Sequence, residues 1–219
     1  MNGVQWALLD SLSEAERRAV LVRCRRQRFA RGEVIFHEGD PGDCVHLLDK
    51  GTVAVRVSTP SGEVATLDVL RPGEAFGEQA LIGGEGQRSA TAVALERAET
   101  MRLTRPDFEA LLAEHPASAR LLVAMLDARL RATSNSLLTA LYVPAEARVF
   151  RQLGRLADIY DGHTSGAIPV TQDDLATMAG TTRQTVNRVL RQAQDDGLLK
   201  LARGKVEVVD AARLRRRAH

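Results

Sequence analysis

The chain is predicted to be an α+β protein: a β-sandwich or barrel first, one long helix next, and a helix-turn-helix followed by a β-hairpin last. Three patterns predict this. From Phe29 to Leu103, short apolar stretches alternate with Gly, Pro and Asp punctuation, as closely spaced strands require. From about Pro116 to Val143, apolar residues follow a helical period. Between Ile168 and Val209, two capped helical segments flank Gly180 and run into a strand-turn-strand pattern. The expected domains are residues 1–115, 116–143 and 144–219.

The first element is a helix opened by Ser13-x-x-Glu16, a capping box, with the apolar run Val20, Leu21 and Cys24 behind it. Strands follow as EVIF (33–36), CVHLL (44–48), TVAVRV (52–57), VATLDVL (64–70) and TAVAL (91–95). Between them, Gly39-Asp40-Pro41-Gly42, Lys50-Gly51, Ser61-Gly62 and Arg71-Pro72-Gly73 are turn formers, because glycine accepts positive φ and proline presets a turn's φ. His37, Cys44 and His46 fall in this region at strand edges, without the fourth partner a zinc site needs. Pro106-Asp107-Phe108 suggests a short helix.

In the long helix, Val123, Leu126, Leu130, Thr133, Leu137 and Ala140 recur at intervals of 3, 4, 3, 4 and 3. That stripe is narrower than the face a helix buries in its own domain. It is a coiled-coil seam, and dimerisation is expected. Thr133 puts a hydroxyl in the seam beside Ser134 and Asn135, and a polar seam position trades stability for register or for a ligand. Pro144 disfavours helix at Val143 and has no backbone donor, which marks a hinge. Val149, Leu153, Leu156 and Tyr160 then give a helix over 145–160, and Asp161-Gly162 with Ser165-Gly166 a loop.

Thr171-x-x-Asp174 can cap the next helix, Gly180 permits a tight turn, and Thr181 or Thr182 caps the helix after it. Ala176, Val186, Val189 and Leu190 supply the apolar packing between the two. Small residues at the crossing and a polar second helix favour a DNA-binding helix-turn-helix, made winged by the hairpin LLKLARGKVEVV (198–209). Arg183, Gln184, Asn187 and Arg188 lie near the N-terminal end of the second helix, the part that reaches base edges in the major groove.

Composition narrows the function. With 44% hydrophobic and 26% charged residues the chain has an ordinary globular make-up. No apolar run approaches the roughly 18 residues that cross a bilayer. The N-terminus MNGVQWALLDSLSEAERR lacks a signal-peptide layout, so a cytoplasmic location away from membranes is expected. Cys24 and Cys44 are the only cysteines, which gives no disulfide framework and too few thiolates for a four-cysteine zinc or iron–sulfur site; both are read as structural. Residues 145–219 carry a net charge of +4 against −2 for residues 1–144. The chain ends in Arg213, Arg215, Arg216 and Arg217, a cluster able to meet phosphates. No spare catalytic domain, metal cluster or Ser-His-Asp grouping is visible, so no enzyme is expected.

The densest chemistry lies in residues 76–94, FGEQALIGGEGQRSATAVA. Gly77 lets backbone N–H groups approach an anion, Glu78 can accept hydrogen bonds from a ribose hydroxyl, and Arg88 with Ser89 can hold a phosphate through charge-assisted bonds. The pattern FGE-x-A-L-x(6)-RSA resembles the phosphate-binding cassette of the cyclic-nucleotide-binding domain, as found in the CRP/FNR family of bacterial transcription regulators. The resemblance covers essentially the whole chain. It implies a jelly roll for the N-terminal domain, with Gly32, Gly39 and Gly51 as turn residues. It implies that Glu78 takes the ribose 2′-hydroxyl and Arg88 the cyclic phosphate, with Ser89 and the amides around Gly77 completing the cage. Gln79 and Ala80 are counted in the same binding set, at positions that vary in the family.

Thr133-Ser134 matches the Thr-Ser pair that cyclic-AMP-responsive members place on the dimer helix, where the adenine amino group meets the threonine of one subunit and the serine of the other. Arg129, one turn earlier, matches an arginine near the phosphate and the ribose-binding glutamate. The cysteine count separates the chain from the family's iron–sulfur branch. Thr182-Arg183-Gln184-Thr185-Val186-Asn187-Arg188 resembles the reading helix of the cyclic-AMP receptor branch, with both arginines kept and a glutamate replaced by Gln184. A TGTGA-like half-site is implied, with Thr171, Thr182, Arg183, Gln184, Thr185, Asn187 and Arg188 at the DNA. Gln184 leaves one base pair open, since glutamine favours adenine where glutamate accepts from cytosine.

The expectation is therefore a cyclic-AMP-dependent homodimer on a pseudo-palindromic double-stranded operator, with RNA polymerase as a partner and no metal, haem or iron–sulfur cluster. A regulator of the same fold that senses another molecule, cyclic GMP included, or that binds DNA constitutively is the alternative. An enzyme under cyclic-nucleotide control is the other class weighed, and it lacks a catalytic domain.

Overall fold

Ahead of the expected first helix, Trp6, Leu8, Leu9 and Leu12 are already buried. In a computed structural model, which describes residues 4–83, 86–160 and 167–218, they surround a 3-10 helix, Ala7–Leu9. The Trp6 indole N–H donates to the Leu48 carbonyl over 2.9 Å, so the N-terminal segment is fastened to the β-domain. Helix α1 (Glu14–Arg23) then starts at Ser13 with the full capping box: Glu16 N–H donates to the Ser13 hydroxyl and Ser13 N–H to the Glu16 carboxylate.

The strands are β1 (Arg25–Phe29), β2 (Val34–Phe36), β3 (Cys44–Lys50), β4 (Val53–Ser58), β5 (Val64–Leu70) and β6 (Ala75–Phe76), then α2 (Gln79–Ile82), β7 (Thr91–Ala94) and β8 (Ala98–Thr104). They form two four-stranded sheets of order β1-β8-β3-β6 and β2-β7-β4-β5. Leu48, Phe76 and Ala98 from one sheet meet Val53, Leu70, Ala92 and Ala94 from the other in a shared core, the interior of the jelly roll. The opposite face of β3 carries Val45 and Leu47 into a second core with Trp6, Leu9, Val20, Phe108 and Leu122. Both faces of β3 are covered, so Cys44 to Leu48 are all buried and show no polar alternation.

β1 begins four residues before the Phe29 expected as the start of the strand region. Its RRQRF sequence lies at a sheet edge, where charge deters pairing with another chain. Arg26 answers Glu99 over 2.6 Å and Asp49 over 2.9 Å.

Helix α3 (Arg105–Glu114) follows, with Pro106 in its first turn and Thr104 capping Asp107, and then α4 (Pro116–Tyr142). Leu122 and Leu126 of α4 pack on the second core. Of the expected seam, Leu126 is thus partly taken up by its own domain, whereas Val123, Leu130 and Leu137 are 66%, 67% and 60% exposed. The helix ends at Tyr142, immediately before Val143-Pro144.

The chain divides into two compact units, residues 1–57 with 68–131 and residues 58–67 with 132–219. The second holds α5 (Ala145–Tyr160), β9 (Ala167–Ile168), α6 (Gln172–Ala179), α7 (Arg183–Asp195), β10 (Leu199–Ala202), β11 (Lys205–Val208) and α8 (Ala211–Arg216). The loop expected at Asp161-Gly162 and Ser165-Gly166 lies outside the described residues. Val149, Phe150, Leu153, Leu175, Val189, Leu190 and Leu214 are buried and form this unit's core. β10 and β11 make the expected hairpin, joined by β9 as a third antiparallel strand. No described helix is long and apolar enough to cross a membrane.

Candidate functional site

The cassette is built where β6 ends. Gly77 has φ of +83°, and a Cβ there would fall 2.5 Å from the Arg88 guanidinium, so the position demands glycine for both its backbone and its lack of a side chain. The turn delivers Glu78 into the interior, where it is 1% exposed. Its Oε1 accepts from Arg129 Nη1 over 2.6 Å, while Arg129 Nη2 donates to the Ala75 carbonyl. Glu78 Oε2 is buried and has no hydrogen-bond partner.

Arg88 is equally enclosed, its side chain 3% exposed. Nη1 donates to the carbonyls of Gly77 (2.7 Å) and Cys44 (2.9 Å), and the guanidinium lies 4.2 Å from the centroid of the Phe36 ring. Nη2 reaches the Cys44 sulfur at 3.2 Å and stands 3.8 Å from Asp43, and Nε has no partner. With Nη1 on two carbonyls and Nη2 on the Cys44 sulfur, Nε is the guanidinium N–H without a partner, a charge-assisted donor of the kind a phosphate oxygen takes. An orphaned carboxylate oxygen and an unpartnered guanidinium N–H fit the ribose hydroxyl and the phosphate of a cyclic nucleotide.

Ser89 and Gln79 are exposed and bonded to each other, Ser89 Oγ donating to Gln79 Oε1 over 2.7 Å. Ala80 is buried, and a Cβ on Gly42 would fall 2.2 Å from its methyl, so its side chain serves packing. Arg105 escaped the sequence reading. It donates to the carbonyls of Gly42 (2.8 Å), Ala80 (3.1 Å) and Leu81 (3.3 Å), which ties α2 to the 39–42 turn. Thr133 and Ser134 lie on α4 just over one turn beyond Arg129 and are exposed in the single chain.

Beneath the cassette, burial drives the His46 pKa down to about 3, with the charges of Arg88 and Arg102 adding to it. The neutral ring stacks on Phe76 at 5.1 Å and meets the Thr100 hydroxyl at 3.1 Å. Burial likewise raises the Cys44 thiol pKa, and the Cys24 thiol goes to about 11. Both cysteines are thus held as protonated packing groups. Among the described residues no cluster of His, Cys, Asp and Glu could hold a metal ion.

In the second unit, Thr171 and Asp174 form a reciprocal capping box at the start of α6, which occupies the Thr171 hydroxyl. Gly180 closes α6 in the left-handed conformation, φ +57° and ψ +49°. Thr182, rather than Thr181, caps α7 by accepting from Thr185 N–H over 3.2 Å. Arg183, Gln184 and Arg188 are exposed near the start of α7, while Asn187 is half-buried and Val186, Val189 and Leu190 face the core. Arg183 pairs with Asp173 at 3.1 Å and Arg188 stands 3.7 Å from Glu146. Of the C-terminal arginines, Arg217 pairs with Asp196 at the far end of α7 from Arg183, and Arg215 with Asp158.

Arg148 is the second residue that sequence reasoning missed. From the first turn of α5 it donates through Nη1 to the Val143 carbonyl (2.8 Å), through Nε to Ala179 (2.7 Å) and through Nη2 to Gly180 (2.8 Å). One side chain thereby caps the carbonyls after α4 and those at the end of α6, where a cation is also favoured by the helix dipoles.

A cyclic nucleotide-binding domain model matches residues 26–115, and a Crp-like helix-turn-helix domain model matches residues 147–217. The chain is 37% identical to the cyclic AMP receptor protein of Thermus thermophilus across 94% of both chains. It is 30% identical to the CRP-like cAMP-activated global transcriptional regulator of Mycobacterium tuberculosis across 87% of this chain and 86% of the other. Among solved structures, the Thermus thermophilus catabolite activator protein is similar with a TM-score of 0.55 and 35% identity, over 97% of this chain and 98% of its own. The c-di-GMP responsive global regulator CLP of Xanthomonas campestris shares the fold, with a TM-score of 0.77 at 21% identity over 90% of this chain and 99% of its own. A jelly roll, a long helix and a winged helix-turn-helix in that order, matched nearly end to end by such relatives, place the chain in the CRP/FNR family of transcription regulators, with a cyclic-nucleotide-binding and a DNA-binding domain.

Proposed function

We propose that this regulator is a cyclic-AMP-dependent homodimer that binds a TGTGA-like palindrome, divided functionally at 115/116 and 143/144. The observation that carries the reading is Glu78: a buried carboxylate with one oxygen on Arg129 and the other unpartnered. Leaving a buried polar group unmade costs about 1–3 kcal/mol, more for a charged one, and a ribose hydroxyl would supply the missing bond. The phosphate then meets the Arg88 guanidinium, with Ser89 and the amides near Gly77 and Gln79 around it. Thr133, and Ser134 of the second subunit, take the adenine amino group. Relatives named for cyclic AMP support this choice of ligand.

The exposed Val123, Leu130 and Leu137 stripe supports a dimer through α4. Two reading helices must stand about 34 Å apart to enter successive major grooves, and ligand binding acts by shifting the population that has that spacing. At each half-site Thr171, at the start of α6, and Thr182 and Thr185, at the start of α7, lie against the DNA backbone, while Arg183, Gln184, Asn187 and Arg188 serve base edges. RNA polymerase is the expected further partner, the cytoplasm the expected location, and no catalytic activity is assigned.

A second reading, control by another nucleotide, is favoured by one finding: the regulator CLP with this fold is described as c-di-GMP responsive. Calorimetric titration with cyclic AMP, cyclic GMP and c-di-GMP separates the two. Micromolar or tighter binding selective for cyclic AMP supports the first, and absence of cyclic-AMP binding rejects it.

A further inference from the structure

Asp173 and Asp174 are neighbours in the first turn of α6, and only one has a structural task there. Asp174 completes the capping box with Thr171. Asp173 instead reaches out of its own helix, its Oδ2 3.1 Å from Nη1 of Arg183, the first residue of α7. The two side chains are 62% and 66% exposed, so the pair adds little to stability. A carboxylate at a helix N-terminus is favourable, but the proposed function turns this one, beside Arg183, toward DNA, whose phosphates repel it. Its position beside a base-reading arginine calls for another explanation.

Guanine O6 and N7 are read by two parallel N–H donors. A guanidinium carries five N–H groups in one plane, so an acceptor on Nη1 leaves the Nε–Nη2 edge with that geometry. That edge of Arg183 makes no hydrogen bond among the described residues. Arginine is also long and flexible, and holding it in its reading rotamer before DNA arrives removes part of the ordering cost of binding. The carboxylate further neutralises Arg183 toward phosphates of any sequence, which lowers non-specific affinity.

We propose that Asp173 is a positioning residue for sequence specificity: it fixes Arg183 edge-on to guanine and suppresses its use as a general phosphate contact. The proposal rests on Arg183 being a guanine reader. The test uses full-length protein and an operator selected from a random DNA pool, compared with the same operator carrying adenine at the selected guanine and with unrelated DNA. Asp173→Ala should bind unrelated DNA more tightly and lose roughly three- to ten-fold of its guanine-over-adenine preference. Asp173→Asn, which keeps an acceptor without the charge, should retain more of that preference. In an Arg183→Ala background, Asp173→Ala should leave the preference unchanged, because the two act as one unit. A parallel gain on all three DNAs for Asp173→Ala would make Asp173 a mere charge and overturn the proposal. Uniform weakening by Arg183→Ala would instead overturn the guanine reading of Arg183, and the inference with it.

Discussion

Replacing Glu78 by glutamine tests the ligand site most directly, because it keeps the shape of a side chain that is 1% exposed and removes only its charge. Glutamine Oε1 can still accept from Arg129, which now holds the carboxylate over 2.6 Å. The unpartnered Oε2 becomes an amide N–H₂, a donor where a ribose hydroxyl requires an acceptor. A hydrogen bond to a charged group contributes about 1.5–3 kcal/mol, and each 1.4 kcal/mol is tenfold in Kd. Cyclic-AMP affinity should therefore fall roughly 10- to 150-fold by calorimetric titration. Far-ultraviolet circular dichroism should stay that of the native protein. In the native chain, cyclic AMP at about 100 times its Kd should add roughly 2.7 kcal/mol to stability, and in the variant the same concentration should add far less. A folded Glu78→Gln protein with a Kd within about twofold of native would refute the ribose assignment.

Three further outcomes follow from the packing. Since the folded His46 pKa is depressed to about 3, the unfolded chain takes up the proton first, near pH 6.5; this stabilisation is complete above pH 6.5 and is lost as pH falls from there toward 3. Between pH 7.5 and 5.0 the native chain should lose roughly 2 kcal/mol of urea-denaturation stability more than His46→Gln, and equal losses would reject the buried neutral ring. Arg148→Lys keeps the charge but not the fork across Val143, Ala179 and Gly180, and should cost about 1–3 kcal/mol in the same assay; a change under about 0.5 kcal/mol would mean the carbonyls find other partners. Leu137→Lys, on a residue 60% exposed in the single chain, should weaken self-association in sedimentation equilibrium by two orders of magnitude or more, since about 1.5–3 kcal/mol is lost twice across a two-fold axis. A dimer of unchanged strength would place the interface elsewhere.

The legible parts of this chain were those where one local rule dictates one local structure. Ser13-x-x-Glu16 and Thr171-x-x-Asp174 are capping boxes because the hydroxyl and carboxylate reach only that far, and both are present as written. The turns around Gly39, Gly51 and Gly180 were readable from the residue types alone, and each of these glycines does have positive φ. The sequence could not announce β8, because AETMRLT pairs between β1 and β3 and its burial alternates only in part. Trp6 and Leu9 were invisible for a similar reason: their partners, Leu48 and the outer face of β3, lie about forty residues away. In the cassette, the FGE and RSA fragments marked the ends of the site. The supports of Arg88 did not show, because backbone carbonyls of Cys44 and Gly77 have no residue signature. Arg105 and Arg148 were missed alike: an arginine that caps carbonyls reads as a solvated charge until the chain is folded.

Arg148 also bears on how a ligand event could travel. Helix α4 carries Arg129, bonded to Glu78, and thirteen residues later Tyr142, its last residue. At 1.5 Å per residue that is about 20 Å of helix. The helix stops short of Pro144, which has no N–H to extend the ladder. Among the described residues, Arg151 steps over this break to the Thr139 hydroxyl at 3.4 Å, and Arg148 does so more closely, gripping the Val143 carbonyl on one side and the carbonyls of Ala179 and Gly180 on the other. Gly180 is the turn that sets α7 against α6. A hinge made of proline alone would let α6 and α7 swivel freely against the end of α4. A hinge spanned by a planar three-way fork has a preferred angle, and a preferred angle is what a population shift needs in order to act.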